Sequence, residues 1–330
     1  MATLLAWAAR FGAGEVVELI CPHTASASAS VKNSVCVRLN RCLAECPVEL
    51  PFELLAMDVS RVIVRSDTCT SGRIDALVQY WKGAADSLGI DGLECVELFT
   101  PKQHQATIHP ENQMSTATRR GLFGMRGADS EIHPCAPDES ASHFSRLRAA
   151  IRAICRADAE GVDAAVAPDR PGPGLLLEAV NCDLTGVCVQ ACPETALAIV
   201  STSDDASIPA PDNSDTAQVD LVVATDKPAS VQLDTRLFFD PGRCSGCRKC
   251  VQACPTGAMR VSGRAPWRSI VHNDQVPIAR ESSRRCRKCR AIFPDRGEEL
   301  CPTCSYRLRN PFGAIDPKQM IALMKKKRRP

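Results

Sequence analysis

The clearest hydrophobic pattern in the chain lies between residues 52 and 100. An apolar run, RVIVRSD, is followed by RIDALVQYWKGAADSLGI, whose apolar positions recur at helical spacing, and then by the short run LECVELF. The order predicts strand, helix, strand. A crossover of that length predicts parallel strands joined in the right-handed sense. No G-x-G-x-x-G run follows the first strand, so nucleotide binding has no support there. A second periodic stretch, FSRLRAAIRAICRADAE, places Phe144, Leu147, Ile151, Ile154 and Cys155 along one face and predicts a linker helix. The opening MATLLAWAARFG reads as a short helix, because it has no basic start and no long apolar centre of an export signal. PDRPGPG at residues 168–174 is a breaker cluster and predicts a domain boundary.

Length and composition bound the class. At 330 residues the chain has room for several small domains, and 45% apolar with 24% charged residues is near the globular norm. Aromatic residues make up only 4%, so large ring anchors are scarce, whereas there are nineteen cysteines. Such a count predicts either a disulfide framework or thiolate ligation of metal. No apolar run reaches the length of a membrane span, and the Arg119–Arg120 pair lies deep in the chain before a charged stretch. The reading is therefore a cytoplasmic, reduced protein whose cysteines bind metal. No G-x-S-x-G, Walker loop or carboxylate pair points to hydrolysis or phosphoryl transfer, and the six histidines form no paired metal spacing.

The cysteines fall into an internal repeat. LLLEAVNCDLTGVCVQACPETALAIV and RLFFDPGRCSGCRKCVQACPTGAMRV superpose at an offset of 62 residues, and both contain VQACP. In the second copy Cys244, Cys247, Cys250 and Cys254 form C-x2-C-x2-C-x3-C-P, in which a tight loop wraps three thiolates around one corner of an iron–sulfur cube. The proline interrupts the helix continuation and aims the fourth sulfur at a neighbouring cluster. The first copy keeps Cys182, Cys188 and Cys192 but has Thr185 at the second position. A hydroxyl is a poor iron ligand, so this half predicts a 3Fe-4S cluster or a 4Fe-4S cube with incomplete thiolate ligation, with Asp183 as a candidate oxygen donor.

On these residues, positions 175–262 resemble the bacterial-type two-cluster ferredoxins. The resemblance implies a ferredoxin-like module with two cubes, whose activity is electron transfer. It implies that Cys244, Cys247 and Cys250 share one cluster with Cys192, and that Cys182 and Cys188 share the other with Cys254. An acidic insertion, residues 201–236, separates the copies. Its first part, through Asp226, has six Asp and no Lys or Arg.

Two further cysteine groups stand outside the repeat. Cys36, Cys42 and Cys46, followed by Pro47, reproduce C-x5-C-x3-C-P, and Cys21 is a candidate for the missing thiolate. They predict a third cluster near the amino terminus or, equally, a remnant half-motif with buried thiols. Cys69, in DTCTSG after the first predicted strand, reads as a packed residue, a reactive thiol or a ligand. Near the other end, Cys286 and Cys289 form one C-x2-C and Cys301 and Cys304 another, with eleven residues between. Two such knuckles predict a four-sulfur zinc ribbon, with a single iron as the rival.

The expected class is α+β, a ferredoxin-like two-cluster module with an N-terminal α/β region and a C-terminal zinc ribbon. The expected divisions are 1–51 with the degenerate cysteine motif, 52–100 α/β, 101–174 linker with helix, 175–262 ferredoxin, 280–310 ribbon and 311–330 basic tail. From Arg280 onward there are 15 Lys and Arg against 5 Asp and Glu, a local +10 beside a whole-chain +2, so residues 1–279 carry −8. An acidic body favours the oxidised, less negative state of a cluster and so lowers its potential. The expected function is an electron carrier or electron-relay subunit, not a bond-making enzyme, whose partners are redox proteins or oxidoreductase subunits. The alternative is a regulatory protein with structural clusters and zinc whose basic tail contacts nucleic acid.

Overall fold

The computed structural model describes residues 2–23, 28–97, 104–105, 107–114, 132–157, 170–203, 232–271 and 275–310. The linker between 115 and 131, most of the acidic insertion and the basic tail lie outside the described residues. The chain divides into two compact units, the first of Met1–Leu176, Asp240–Cys247 and Gly263–Asp274, the second of Leu177–Phe239, Arg248–Ser262 and Gln275–Pro330.

The first unit is α/β. Helix α1 (Ala2–Phe11) leads into β1 (Val16–Ile20), β2 (Ser28–Ala29), β3 (Val35–Arg38), helix α2 (Leu50–Ala56), β4 (Arg61–Arg65), helix α3 (Ile74–Leu88), β5 (Leu93–Val96), β6 (His104–Gln105), β7 (Ile108–Pro110) and helix α4 (His143–Ala157). Five strands form one parallel sheet in the order β5-β4-β1-β3-β7, while β2 pairs with β6. The strand–helix–strand pattern read from the sequence is β4–α3–β5, and its two strands are parallel. Residues 16–38 contribute β1 and β3 to that same sheet, so the amino-terminal cysteines and the α/β region share one core. The central strands read VVELI, VCVR and RVIVR, near-continuous apolar runs as expected of a parallel sheet covered on both faces.

Two of the polar groups buried beside that core show how such groups are paired. The Trp81 indole N–H donates to the Val48 carbonyl at 2.8 Å, so the largest ring in the core leaves no unmet donor. Arg146 on α4 grips Glu53 on α2 through two bonds of 2.7 and 2.8 Å. Glu53 is 2% exposed and Arg146 13%. Removing one partner of such a pair strands the other charge, so Glu53→Ala is expected to destabilise the first unit by about 3–5 kcal/mol. Denaturant unfolding followed by tryptophan fluorescence measures the loss.

The breaker cluster PDRPGPG runs directly into a strand. Pro171, Gly172, Pro173 and Gly174 open strand β8 (Pro171–Ala179). The reason is close backbone approach, since a Cβ on Gly174 would stand 2.8 Å from the Pro241 carbonyl oxygen and 3.0 Å from that of Cys244.

Later come helix α5 (Val187–Ala191), β9 (Leu197–Ser203), β10 (Leu233–Phe239), helix α6 (Lys249–Ala253), β11 (Met259–Pro266), β12 (Val276–Arg285), β13 (Ile292–Pro294) and helix α7 (Pro302–Arg309). In the second unit β13-β12-β10-β9 form an antiparallel sheet. Strand β11 pairs with β8, and the residues of both are divided between the units. Among the described residues, no helix is long and apolar enough to cross a membrane, and none of the nineteen cysteines is in a disulfide.

Candidate metal centres

The two repeat copies share a backbone signature. Leu184, Gly186 and Thr195 have φ of 49°, 73° and 49°, and their counterparts 62 residues on, Gly246, Arg248 and Gly257, have 75°, 60° and 66°. Left-handed residues at matched places build the same turns, although only half of them are glycine. In both copies the left-handed residue immediately before the helix, Gly186 or Arg248, is followed by a five-residue helix, α5 or α6. Its second residue is a buried cysteine, Cys188 or Cys250. The last cysteine of each run, Cys192 or Cys254, ends its helix in extended conformation before the proline.

Within the second unit, Cys182, Cys188 and Cys254 line one cavity together with Asp183, Leu184, Thr185 and Thr256. Burial pushes the Cys188 thiol up to about 11, and the neighbouring Cys182 adds to this. Cys182 is raised too, by burial first. Cys254 goes the other way. Burial is the largest single influence on it and raises it, but the Met259 N–H, the Thr256 hydroxyl and N–H, and the Ala258 N–H together outweigh burial and favour the thiolate. The donor set fits an iron–sulfur group, because three thiolates face one space and a hydroxyl stands where the repeat has its fourth sulfur. Asp183, the candidate oxygen donor, has its carboxylate in an ion pair with Arg296.

The other implied ligand set is distributed differently. Cys244 follows a one-turn 3-10 helix in the first unit, held by the Asp240 carboxylate, which accepts from the Gly242 N–H at 2.8 Å and the Arg243 N–H at 3.2 Å. Cys247 is exposed in the same unit, whereas Cys250 and Cys192 belong to the second unit. Cys192 accepts from the Ala196 N–H at 3.3 Å.

Two groups of sulfurs are much tighter. The Sγ atoms of Cys286, Cys289, Cys301 and Cys304 all lie within 4.8 Å of one another. Strand β12 ends at Arg285, and β13 returns beside it, so the first knuckle is the turn of a hairpin. Cys301 begins α7, and its sulfur accepts the Cys304 N–H at 3.4 Å, while the Cys301 N–H donates to Cys286 Sγ at 3.3 Å. Such N–H donors hold charge on sulfur. Against burial, the N–H groups of Cys289, Cys301 and Lys288 bring Cys286 down to about 6. Cys304 is pushed up to about 12, first by its hydrogen bond with Cys289.

The second tight group joins Cys21, Cys42 and Cys69. Cys42 and Cys69 sulfurs are 3.3 Å apart, and Cys21 stands 4.0 Å from Cys42. Cys36 and Cys46 fall outside this trio. Cys36 sits on β3 against the Ser34 hydroxyl, and Cys46 donates to the Cys42 carbonyl with its thiol pushed up to about 12 by burial. Sequence spacing gave no reason to choose Cys69 over its neighbours. The available signal was positional, since Cys69, like Cys21, comes within four residues of the end of an apolar run that becomes a strand.

A buried charge network fixes the turn that carries Cys69. Arg65, at the end of β4, bonds Asp67 at 2.8 and 2.9 Å and faces Glu18 of β1 at 3.5 Å. Glu18 in turn accepts from the Ser30 and Val31 N–H groups and the Ser34 hydroxyl. Burial, the largest single influence, raises the Glu18 carboxyl, yet these donors together hold it below 4.5. A depressed carboxyl contributes stability that is present at neutral pH and lost as pH falls through its folded value. The first unit is therefore expected to weaken as the pH falls through the lowered folded value of that carboxyl, and Glu18→Gln to flatten that acid limb in thermal melts across the range.

Comparison with known proteins agrees with this geometry. Residues 180–258 match the family model described as the 4Fe-4S dicluster domain. A 68-residue stretch is 34% identical to a Proteus vulgaris protein described as a probable iron-sulfur subunit of the Frd operon, covering 20% of this chain and 43% of that relative. The chain thus spans less than half of that relative's length. The paired cysteine runs and these matches support an iron–sulfur domain of ferredoxin type at residues 180–258.

Proposed function

We propose that the protein is an electron-relay subunit of a larger oxidoreductase, carrying two clusters and catalysing no bond-making step of its own. The observation that carries this reading is the doubled cysteine motif with its doubled backbone signature inside the dicluster match. The relative named from the Frd operon supports an oxidoreductase partner. In this reading Cys244, Cys247 and Cys250 hold one cluster with Cys192, and Cys182, Cys188 and Cys254 hold the other. When bound, the clusters accept and release single electrons. The chain sets how readily this happens. N–H groups directed at Cys254 and Cys192 stabilise negative charge on sulfur, and the net −8 of residues 1–279 opposes it. Cys286, Cys289, Cys301 and Cys304 hold a structural Zn2+, with single iron as the rival. Cysteines set in metal-ligand spacings favour a reducing compartment, hence the cytoplasm.

The test is anaerobic purification of the full chain, iron and labile-sulfide analysis, and EPR before and after dithionite. Brown material with sulfide, reducible by dithionite and reoxidised by a one-electron dye, is the expected result. Colourless material without sulfide, or a chromophore that takes up no electrons, overturns the proposal.

A further inference from the structure

The three sulfurs of Cys21, Cys42 and Cys69 stand at a place in the sheet where α/β proteins bind ligands. Strands β4, β1 and β3 are adjacent and parallel, so their carboxyl ends lie along one edge. The chain runs from β1 to β3 on one side and then to β4 on the other, so β1 is where strand order reverses. Open parallel sheets take ligands just beyond the carboxyl ends at such a reversal. Cys21 directly follows β1, Cys42 stands four residues after Arg38 of β3, and Cys69 four residues after Arg65 of β4.

The geometry points to a binding site for one zinc ion on the thiolates of Cys21, Cys42 and Cys69. Two sulfurs on one ion with bonds of about 2.3 Å cannot stand more than about 4.6 Å apart, and a tetrahedral ion sets them near 3.8 Å. The separations of 3.3 and 4.0 Å follow that scale, and Cys21 and Cys69 complete a set of three within 4.8 Å. The same scale holds in the two-knuckle group, where Cys289 and Cys301 sulfurs are 3.7 Å apart. A cube places each thiolate on its own iron and needs wider spacing. A disulfide needs about 2.05 Å and leaves one of three sulfurs over. Soft thiolate donors select zinc over the hard divalent cations. The N–H groups of Ala44 and Ser71 reach these sulfurs and share their charge.

Three protein ligands leave the fourth tetrahedral position open. Cys21 is buried, while Cys42 and Cys69 are half-buried, so the open position lies on their side. An ion with three thiolates and an exchangeable fourth ligand is held less firmly than one closed by four. This site belongs to the first unit and does not rest on the ferredoxin reading.

The test uses the full chain purified anaerobically, with zinc, iron and sulfide counted per chain. Cys69→Ser and Cys21→Ser are each expected to lose one zinc ion and no iron or sulfide, while Cys95→Ser, on β5 outside the trio, keeps the wild-type count. Unchanged zinc in both variants, or loss of iron and sulfide instead, overturns the assignment. Alkylation of the wild-type protein covers the case in which a variant fails to fold. Cys21, Cys42 and Cys69 are expected to resist N-ethylmaleimide with Zn2+ present and to react together after EDTA, before the 286–304 cysteines do. Labelling without EDTA, or a Cys42–Cys69 disulfide in the anaerobic peptide map, overturns it equally.

Discussion

Thr185→Cys is expected to complete the fourth thiolate position of the first repeat and to change the cluster that EPR detects. The oxidised-state signal of a three-iron group should disappear and a dithionite-reduced four-iron signal should replace it. The backbone is prepared for this change, since Leu184 and Gly186 on either side of Thr185 have the same left-handed φ as Gly246 and Arg248 around Cys247. Thr185 also already lines the cavity of Cys182, Cys188 and Cys254, so a thiolate there is delivered to the same space. The replacement is near-isosteric and adds no strain, because position 185 itself has no positive φ. A four-iron signal from both halves of the unaltered protein would defeat this expectation. Cys188→Ser should instead remove one cluster outright, leaving the domain only the iron of the other cluster.

Stripping the metal from Cys286, Cys289, Cys301 and Cys304 is expected to unfold residues 286–304, and Cys301→Ser to do the same without a chelator. The magnitudes decide it. Apart from the four cysteines, the local core has Phe293 with Leu300 packed on it, and a fully buried apolar side chain contributes about 1.5–3 kcal/mol. Structural zinc contributes about 10–16 kcal/mol at neutral pH. Metal bound there would therefore dominate the stability of this segment. Hydrogen exchange of the 286–304 amides, fast after chelation and slow before it, is the readout. Acid should release the metal as well. Every ligand must shed a proton to bind, so affinity falls with pH, and the protected amides should open together with proton uptake. Retained protection after complete metal loss would mean that packing alone holds the knuckles.

The local parts of this protein were legible from residue order. The 3.6-residue recurrence in RIDALVQYWKGAADSLGI became α3, and that in FSRLRAAIRAIC became α4, because each apolar face has a core to cover. The 62-residue repeat carried over into turns and helices, since left-handed residues and short helices are local choices. The breaker cluster PDRPGPG also runs into a strand, for a definite reason. Gly174 admits the carbonyls of Pro241 and Cys244, about seventy residues away in sequence, and a breaker rule sees only neighbours.

Residue order alone also marked the two knuckles, because ligands two or three residues apart need only one turn to converge. Cys21, Cys42 and Cys69 are separated by 21 and 27 residues, and no local rule brings them together. Tertiary structure decided that group, by placing β1 between β4 and β3 with all carboxyl ends on one edge. Cys36 lies closer in sequence to Cys42 than Cys69 does, yet as a strand residue its side chain is committed to one face of β3. Strand order is set by which apolar faces can be buried together, a property of the whole chain.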